Sequence, residues 1–416
     1  MMETLKSKSA FKTGAFTLVI IFVVIIEIFY RQPLFDWSLN AIETIQKDSS
    51  ASLDSFWEVI TVLGTQAVLL PMFFIIYIFK PLKCSYLFLS VLSLSVFIDN
   101  LMKNVYANPR PYMENPKIII KHCDAGFGNP SGHSFSSSAT YLAFWHIMTD
   151  IKWFKVNIGT KIFRVMLCVL TILMIAAIMF SRFYLGVHSL NQLIYGSQLG
   201  FILYFFYFFY LDFHKYSHGE FFNLFYKLGS RIAHGVLFVA LIVLNFGLYL
   251  FNTHDTTNYN KIIEQYCPKI YLYRRFDNDA GINSLTIFAM IGAYVGLALI
   301  LSWRNSIDRE GERYEELDNW NSTNCKRFWI RLALTLILVA VSMSLFLIIS
   351  GHSSIPLIIV FKIILSFLLA GLCLFGLIIY LSIKFKLAHE NFDIMEGGYI
   401  GKLNERDDVI IEIKTI

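Results

Sequence analysis

Two histidines, two arginines and a lysine lie in three short segments of the chain and suit phosphate chemistry. The segments are Lys103–Pro111, Pro130–His133 and Ser181–His188. Fixed cations neutralise phosphoryl oxygens as charge develops, an arginine as a planar fork and a lysine as a point charge. One histidine can act as the nucleophile and the other as the general acid. The set therefore indicates a site that binds a phosphate and attacks its phosphorus.

Each segment has an ordinary explanation when it is taken alone. Lys103 and Arg110 lie seven residues apart, about two helical turns, and cations at a helix end also reach the membrane interface. The Pro130–His133 turn precedes a helix and offers N–H groups to an anion, but a turn with an N-cap explains it equally well. Arg182 and His188 are a weak signal singly. The joint occurrence of all three segments, in order, is the observation that favours a single site.

The composition is typical of a membrane protein. The chain has 416 residues, of which 56% are hydrophobic and 16% are charged, whereas soluble proteins carry roughly 25% charged residues. Repeated apolar runs of about 20 residues predict an all-α, polytopic membrane helical bundle. The net charge of +5 does not indicate a nucleic-acid partner, because the lysines and arginines lie in loops between apolar runs.

We predict about ten transmembrane helices and four regions. Residues 1–60 form an N-terminal transmembrane helix and an interfacial amphipathic segment, 61–212 a six-helix core, 213–386 additional transmembrane helices, and 387–416 a cytoplasmic tail. The predicted spans are Phe11–Tyr30, Thr61–Phe79, Tyr86–Tyr106, Ser134–Ile151, Phe163–Phe180, Leu190–Leu211, Val236–Phe251, Ser284–Trp303, Phe328–Ile349 and Ile355–Ile383.

The loop charges predict the orientation of these spans. Lysines and arginines concentrate on the side that holds the N-terminus, so the positive-inside rule makes this side cytoplasmic. All three chemistry-bearing segments then lie on the opposite face, because they follow the third and fifth spans. The site is expected to face a lumen or the exterior. The cations on the N-terminal side include Lys6, Lys8, Lys12, Lys80, Lys83, Lys152, Lys155, Lys161, Arg164, Lys215, Lys227 and Arg231.

The pattern Lys-x6-Arg-Pro, Pro-Ser-Gly-His and Ser-Arg-x5-His resembles the signature of the type 2 phosphatidic acid phosphatase superfamily. That superfamily includes vanadium haloperoxidases and glucose-6-phosphatase. The resemblance implies that His188 is the nucleophile, forming a phosphohistidine, and that His133 protonates the leaving oxygen and later helps to activate water. It implies neither a metal nor another cofactor. The groups that would hold the phosphoryl oxygens are Lys103, Arg110, Ser131, the Gly132 amide and Arg182.

Outside the core motifs, the sequence resembles glucose-6-phosphatase in particular. Gln192 stands where the superfamily pattern has an aspartate four residues after the nucleophilic histidine, and glucose-6-phosphatases have glutamine there. Arg110-Pro111-Tyr112, the run Cys123–His133, and the stretch Cys267–Leu299 are similar as well. The likeness implies a sugar phosphate such as glucose 6-phosphate as substrate. It also implies the endoplasmic reticulum as the location, with the site facing the lumen; the plasma membrane is the alternative location.

Two other readings of the function stay open. A lipid phosphate, such as phosphatidate or a sphingoid phosphate, follows from the superfamily at large. The third hypothesis is a non-catalytic membrane scaffold or transport subunit that keeps the fold. The complete set of motif residues argues against this hypothesis. The expected partners are the phosphate monoester and the membrane lipids, and no protein partner is indicated.

Three side chains outside the motifs are expected to form an ion pair and a disulfide. Asp99 lies four residues before Lys103, so the two can pair on one helix face and hold the lysine in place. Cys123 and Cys267 both fall on the non-cytoplasmic side, where disulfides form. We expect a bridge between them, the alternative being two free thiols.

Overall fold

The structure is a computed structural model that describes residues 2–124, 126–149, 158–213, 216–251, 255–267, 284–307, 325–348, 363–385 and 387. Over these residues all regular elements are helical and no strand occurs. The predicted all-α class is confirmed. The predicted cytoplasmic tail beyond residue 387 lies outside the described residues.

The helices follow the apolar runs of the sequence. They are α1 (Met2–Lys47), α2 (Ala51–Val62), α3 (Gln66–Phe79), α4 (Leu82–Tyr106), α5 (Pro111–Glu114), α6 (Gly132–Met148), α7 (Ile158–Tyr184), α8 (Leu190–Phe205, continued as a π-helical turn Phe206–Tyr210), α9 (His218–Tyr226), α10 (Leu228–Leu250), α11 (Thr257–Tyr266), α12 (Ile287–Ile307), α13 (Cys325–Ile348), α14 (Leu365–Leu372, followed by a π-helical turn Cys373–Leu377) and α15 (Ile378–Lys384).

Several helices present apolar side chains to the outside, as expected for a protein in lipid. Among the described residues, seven helical stretches are long and apolar enough to cross a membrane, and Ile287–Trp303 and Phe328–Ser342 are shorter apolar stretches. The 17-residue helix α6 lies at another predicted span. The chain is therefore an integral membrane protein. The seven stretches are Lys12–Lys47, Ala51–Phe79, Leu82–Glu114, Ile158–Tyr184, Leu190–Tyr210, Leu228–Asn245 and Leu365–Lys384.

Helix α1 is one continuous helix through Lys47, whereas the sequence pattern predicts an interfacial amphipathic segment after Tyr30. The reason is a buried stripe that continues past Tyr30. Ser38, Ile42 and Gln46 recur every four residues and are all buried, so one helical face packs inward over this part. The extension thus belongs to the bundle.

Six helical units surround the candidate site: α1, α2 with α3, α4, α6, α7 and α8. The predicted core of residues 61–212 supplies α3, α4, α6, α7 and α8, whereas α2 and α1 come almost wholly from the preceding region. Helix α1 packs against α8, α7 and α5. Helix α6 packs against α8, α4 and α7. Helices α4 and α7 end, and α6 and α8 begin, at the same end of this bundle. The loops between them therefore converge there.

Helices beyond α8 form a second packed group. Helix α12 packs against α14 and also against α4, and α13 contacts α14 and α15. Tyr77 of α3 donates a hydrogen bond of 2.5 Å to the carbonyl of Leu374. These contacts fasten the later helices to the side of the core away from α1.

Candidate active site

The turn after α7 brings Arg182 and His188 to the same place. The N–H groups of Val187 and His188 both donate to the Arg182 carbonyl, at 3.1 and 3.3 Å. Gly186 has a φ of 74°, which residues with a Cβ rarely adopt. The chain thus reverses within six residues, and the histidine follows the arginine in space as well as in sequence.

The hydrogen bonds of His188 define which ring nitrogen faces the site. Nδ1 lies 2.9 Å from the carbonyl of Gly128 and 3.1 Å from Gln192 Oε1. The Gln192 amide is oriented by its N–H2 group, which donates to the carbonyl of Pro109 at 2.8 Å. Because both partners of Nδ1 are acceptors, Nδ1 carries the proton. Nε2 then carries the lone pair, which accepts a hydrogen bond from Arg110 Nη1 at 3.1 Å.

Two buried arginines form a cradle beside this nitrogen. Arg110 is 1% exposed and Arg182 is 0% exposed. Arg110 Nε donates to the carbonyl of Gly126 at 2.9 Å, and Arg182 Nη1 donates to Thr61 Oγ1 at 3.1 Å. These bonds fix the guanidinium planes in advance, so little reorganisation is needed when an anion binds.

A carboxylate lies in this cradle. Asp124 Oδ2 is 2.6 Å from Arg182 Nη2 and 3.2 Å from Arg110 Nη1. Burial acts to raise the pKa of the Asp124 carboxyl, but the two arginines outweigh it and hold that pKa well below its usual range. The cradle therefore already binds one anionic group of the chain itself.

The same charges keep His188 neutral. Burial, followed by the positive charges of Arg110 and Arg182, places the pKa of His188 well below its ordinary value. An unprotonated imidazole is the form that can attack phosphorus, because its Nε2 lone pair is available.

Lys103 and Asp99 form an ion pair on one face of α4. Lys103 Nζ lies 2.9 Å from Asp99 Oδ2, as the spacing of four residues predicts. The carboxylate also lies against Gly132, where a Cβ would come within 2.6 Å of Asp99 Oδ2. Ser131 caps the N-terminus of α6 with its hydroxyl, and its N–H donates to the Gln192 carbonyl at 3.0 Å. Glycine at position 132 thus allows α4 to approach the cap of α6.

His133 stands in the first turn of α6, next to the cradle. Its ring lies within electrostatic range of Arg182, Asp124 and Lys103. Its Nε2 atom is buried and has no hydrogen-bond partner among the residues that the structure describes. A buried ring nitrogen without a partner beside an anion site is in position to meet a group of a bound ligand.

The structure adds contacts from α1 that the sequence analysis missed. Glu27 Oε1 accepts a hydrogen bond from Asn129 Nδ2 at 3.2 Å, directly before the Pro130–His133 turn. Ser38 Oγ accepts from the N–H of Leu190 at 2.9 Å, at the start of α8. Helix α1 therefore supports two of the loops that carry the site, and the pattern of α1 alone does not reveal these partners.

Gln46 of α1 supports a third segment. Its Nε2 donates to the carbonyls of Ile119 and Tyr184, at 3.1 and 3.2 Å, and its Oε1 accepts from the Ile119 N–H at 2.8 Å. The loop before Asp124 and the end of α7 are thus tied together by one side chain. Asp124 was also missed as a site residue, although its place beside Cys123 in the run that approaches His133 was a usable signal.

The expected bridge between Cys123 and Cys267 is present, with a Cα–Cα distance of 5.7 Å. It connects the loop that carries Asp124 to the residue that follows α11. The segment beyond the core is therefore covalently tied to the edge of the candidate site.

The bridge gives a direct test on gels. We expect the parent protein to migrate faster without reductant than with it, because the bridge closes a loop of 144 residues. The Cys123→Ser variant should show no such difference. Cys84→Ser, which removes a cysteine outside this bridge, is the matched control and should behave as the parent does. An unchanged mobility difference in Cys123→Ser would contradict the pairing.

The residues of this site fall within a match to a known protein family. Residues 84–216 match the PAP2 superfamily. A solved structure, the first transmembrane PAP2 type phosphatidylglycerolphosphate phosphatase from Bacillus subtilis, is similar to the chain with 20% identity and a TM-score of 0.41, over 48% of this chain and 96% of that one. No curated protein sequence gives a significant match. The match takes in every residue of the cradle, both histidines and Gln192. Residues 84–216 of this all-α membrane protein are therefore similar to a PAP2 superfamily domain.

Proposed function

We propose that the protein hydrolyses a phosphate monoester through a phosphohistidine on His188, with a sugar phosphate such as glucose 6-phosphate as substrate. The observation that carries the proposal is the position of His188 Nε2. This atom is unprotonated, fixed by the bonds on Nδ1, and 3.1 Å from the Arg110 guanidinium that would hold a phosphoryl oxygen. Arg182, Lys103, Ser131 and the Gly132 amide complete the phosphate site in this proposal.

The reaction proceeds in two displacements. In the first, the Nε2 lone pair of His188 forms a bond to phosphorus while the bond from phosphorus to the alcohol oxygen breaks. In this proposal His133 takes up a proton as the anionic substrate binds, and it gives that proton to the leaving oxygen. In the second, the now neutral His133 takes a proton from water, whose oxygen attacks the phosphohistidine and releases phosphate. The cations stabilise the charge that spreads over the phosphoryl oxygens in both steps.

The sugar phosphate as substrate is supported by the features that resemble glucose-6-phosphatase. Gln192, in place of an aspartate, makes the hydrogen bond to His188 Nδ1. Tyr112 of the Arg-Pro-Tyr sequence donates to the Asp124 carbonyl at 2.5 Å, and Cys123 is bridged to Cys267. The resembling stretches therefore contact one another beside the site. With this substrate class we propose the endoplasmic reticulum as location, with the site on the lumenal side.

A lipid phosphate is the second candidate substrate. The cradle lies where α4 and α7 end and α6 and α8 begin, at one end of a bundle of membrane helices. A lipid whose acyl chains stay in the bilayer would present its phosphate near that end. The choice between the two substrates requires a measurement on both.

The test is phosphate release by the purified full chain in detergent with EDTA present. Glucose 6-phosphate and a short-chain phosphatidate are compared at matched concentrations, with His188→Ala beside each. We expect turnover of the sugar phosphate and inhibition by vanadate, which imitates a five-coordinate phosphorus. Turnover of the phosphatidate alone would overturn the substrate class but keep the mechanism. Equal activity of parent and His188→Ala would overturn the mechanism.

A weaker but specific effect is expected at Gln192. In Gln192→Ala the ring keeps the Gly128 carbonyl as its Nδ1 partner and loses one of two hydrogen bonds, so we expect kcat to fall about tenfold, the equivalent of ~1.4 kcal/mol. Gln198→Ala is the matched control, because Gln198 lies on the same helix and bonds Tyr30 instead. A kcat loss of the same size in both variants would contradict a specific role for Gln192.

A further inference from the structure

We propose that Asp124 is a built-in competitor for phosphate, which occupies the arginine cradle in the unliganded protein and leaves it when substrate binds. The proposal rests on the proposed function insofar as Arg110 and Arg182 hold the phosphoryl group. It adds a residue that sets how tightly the site binds phosphate esters and inorganic phosphate.

The carboxylate of Asp124 lies where a bound phosphoryl group would need its own oxygens. One oxygen, Asp124 Oδ2, contacts Arg182 Nη2 at 2.6 Å and Arg110 Nη1 at 3.2 Å. Arg110 Nη1 is also the nitrogen that lies 3.1 Å from His188 Nε2. A phosphoryl group attacked by Nε2 needs its own oxygens at these same guanidinium nitrogens. Asp124 Oδ2 and a phosphoryl oxygen therefore require the same place.

The charges of the site point in the same direction. Lys103, Arg110 and Arg182 are its cations, and Asp99 and Asp124 are its carboxylates. With both carboxylates present and His133 neutral, the cluster has one net positive charge to offer a phosphate monoester dianion. Movement of Asp124 out of the cradle raises this to two, which matches the dianion and removes the repulsion between the carboxylate and the phosphate.

Asp124 is also placed so that it can move. Its side chain is 28% exposed, whereas both arginines are fully enclosed. Asp99, the other carboxylate, is held by Lys103 and packs against Gly132. Of the two carboxylates, Asp124 is thus the one with a path to solvent.

The backbone of Asp124 stays tethered during this movement. The Tyr112 hydroxyl donates to its carbonyl, and the neighbouring Cys123 is bridged to Cys267. A short tether gives the carboxylate a high effective concentration at the arginines, so it returns when phosphate leaves. The side chain therefore also assists release of the inorganic phosphate product.

A different role would give the opposite results. If Asp124 stayed in contact with the arginines when phosphate binds, it would orient them as a permanent supporting group. Its removal would then weaken the binding of phosphate. As a competitor, its removal strengthens binding, because the cradle is no longer occupied for part of the time. An unfolded or damaged variant cannot mimic this gain.

The experiment measures binding of inorganic phosphate to the full chain in detergent by calorimetry, with EDTA present and without turnover. Asp124→Asn keeps the shape of the side chain and removes its charge. We expect its dissociation constant for phosphate to be about tenfold lower than that of the parent, the gain when the cradle is open a tenth of the time. Asp54→Asn is the matched control, since Asp54 is a partly exposed carboxylate paired with Lys121, and its affinity should equal that of the parent.

A second measurement separates displacement from a change in charge alone. The carbon-13 NMR signal of the Asp124 carboxyl group, assigned by its absence in Asp124→Asn, should move toward that of a solvated aspartate when phosphate is added to the parent. Unchanged or weaker phosphate binding in Asp124→Asn, or an Asp124 carboxyl signal that phosphate does not shift in the parent, would overturn the proposal. Failure of His188→Ala to lower turnover would instead overturn the proposed mechanism and leave these binding results standing.

Discussion

The His188→Ala variant is expected to lose phosphate release by a factor on the order of 10^4 or more, the scale on which removal of a covalent nucleophile acts. The physical reason is that no other described side chain places a ring nitrogen with a lone pair beside the two arginines while its other ring nitrogen is held by hydrogen bonds. The ring is held by Gly128 and Gln192, and its Nε2 faces Arg110. Alanine removes the attacking atom and leaves both arginines in position.

The measurement has two parts. Turnover is assayed with saturating substrate, and the covalent intermediate is sought by brief incubation with radiolabelled substrate followed by alkaline quench, in which phosphohistidine survives. The parent should carry label and His188→Ala none. Binding of inorganic phosphate, which the arginines provide, should persist in the variant and show that it is folded. His234→Ala, on α10 and bonded to Ser230, is the control. Label retained by His188→Ala would place the nucleophile elsewhere.

The second large effect is expected at His133, where the size of the loss depends on the leaving group. For an alkyl phosphate such as glucose 6-phosphate, His133→Ala should lower kcat by about 10^2- to 10^4-fold, because the alkoxide must leave without a proton. For p-nitrophenyl phosphate the first displacement should be nearly unaffected, because nitrophenolate is stable as an anion. The phosphoenzyme should then accumulate, since water also loses its base.

A burst of nitrophenol followed by slow turnover would be the signature of this variant. Its amplitude should approach one equivalent of enzyme, measured by stopped-flow absorbance. Ser131→Ala is a useful comparison, because it alters the neighbouring cap and leaves the proton donor in place, so its loss should be similar for both substrates. A loss in His133→Ala that is equal for alkyl and aryl phosphates would contradict the role of His133 as the acid.

The part of the site that the sequence predicts is the part encoded in short spacings. Asp99 and Lys103 are four residues apart, so a helix alone places them in contact. Gln192 follows His188 by four residues across the start of α8, and its amide reaches the imidazole. Apolar runs of membrane length predict an all-α bundle because backbone groups in lipid must bond within their own helix.

Contacts between distant segments could be identified only from the tertiary structure. Glu27 pairs with Arg31, four residues later in α1, but nothing in the sequence indicates its bond to Asn129, which lies 102 residues later. Asp124 follows Cys123 in an irregular loop, so no periodicity indicates where its side chain lies. Only the convergence of that loop with the ends of α4 and α7 places the carboxylate on Arg110 and Arg182.

The sequence by itself thus determined the fold class and the contacts at a spacing of four residues, because helical periodicity and membrane length are local properties. The pair of Cys123 and Cys267, 144 residues apart, followed instead from the predicted topology, which puts both on one side of the membrane. The tertiary structure decided that α1 runs unbroken to Lys47 as the sixth helical unit around the site. It also decided that the carboxylate of Asp124 occupies the arginine cradle. Both depend on packing between elements far apart in sequence, where burial and charge pairing choose among many loop paths that local propensity leaves equally open.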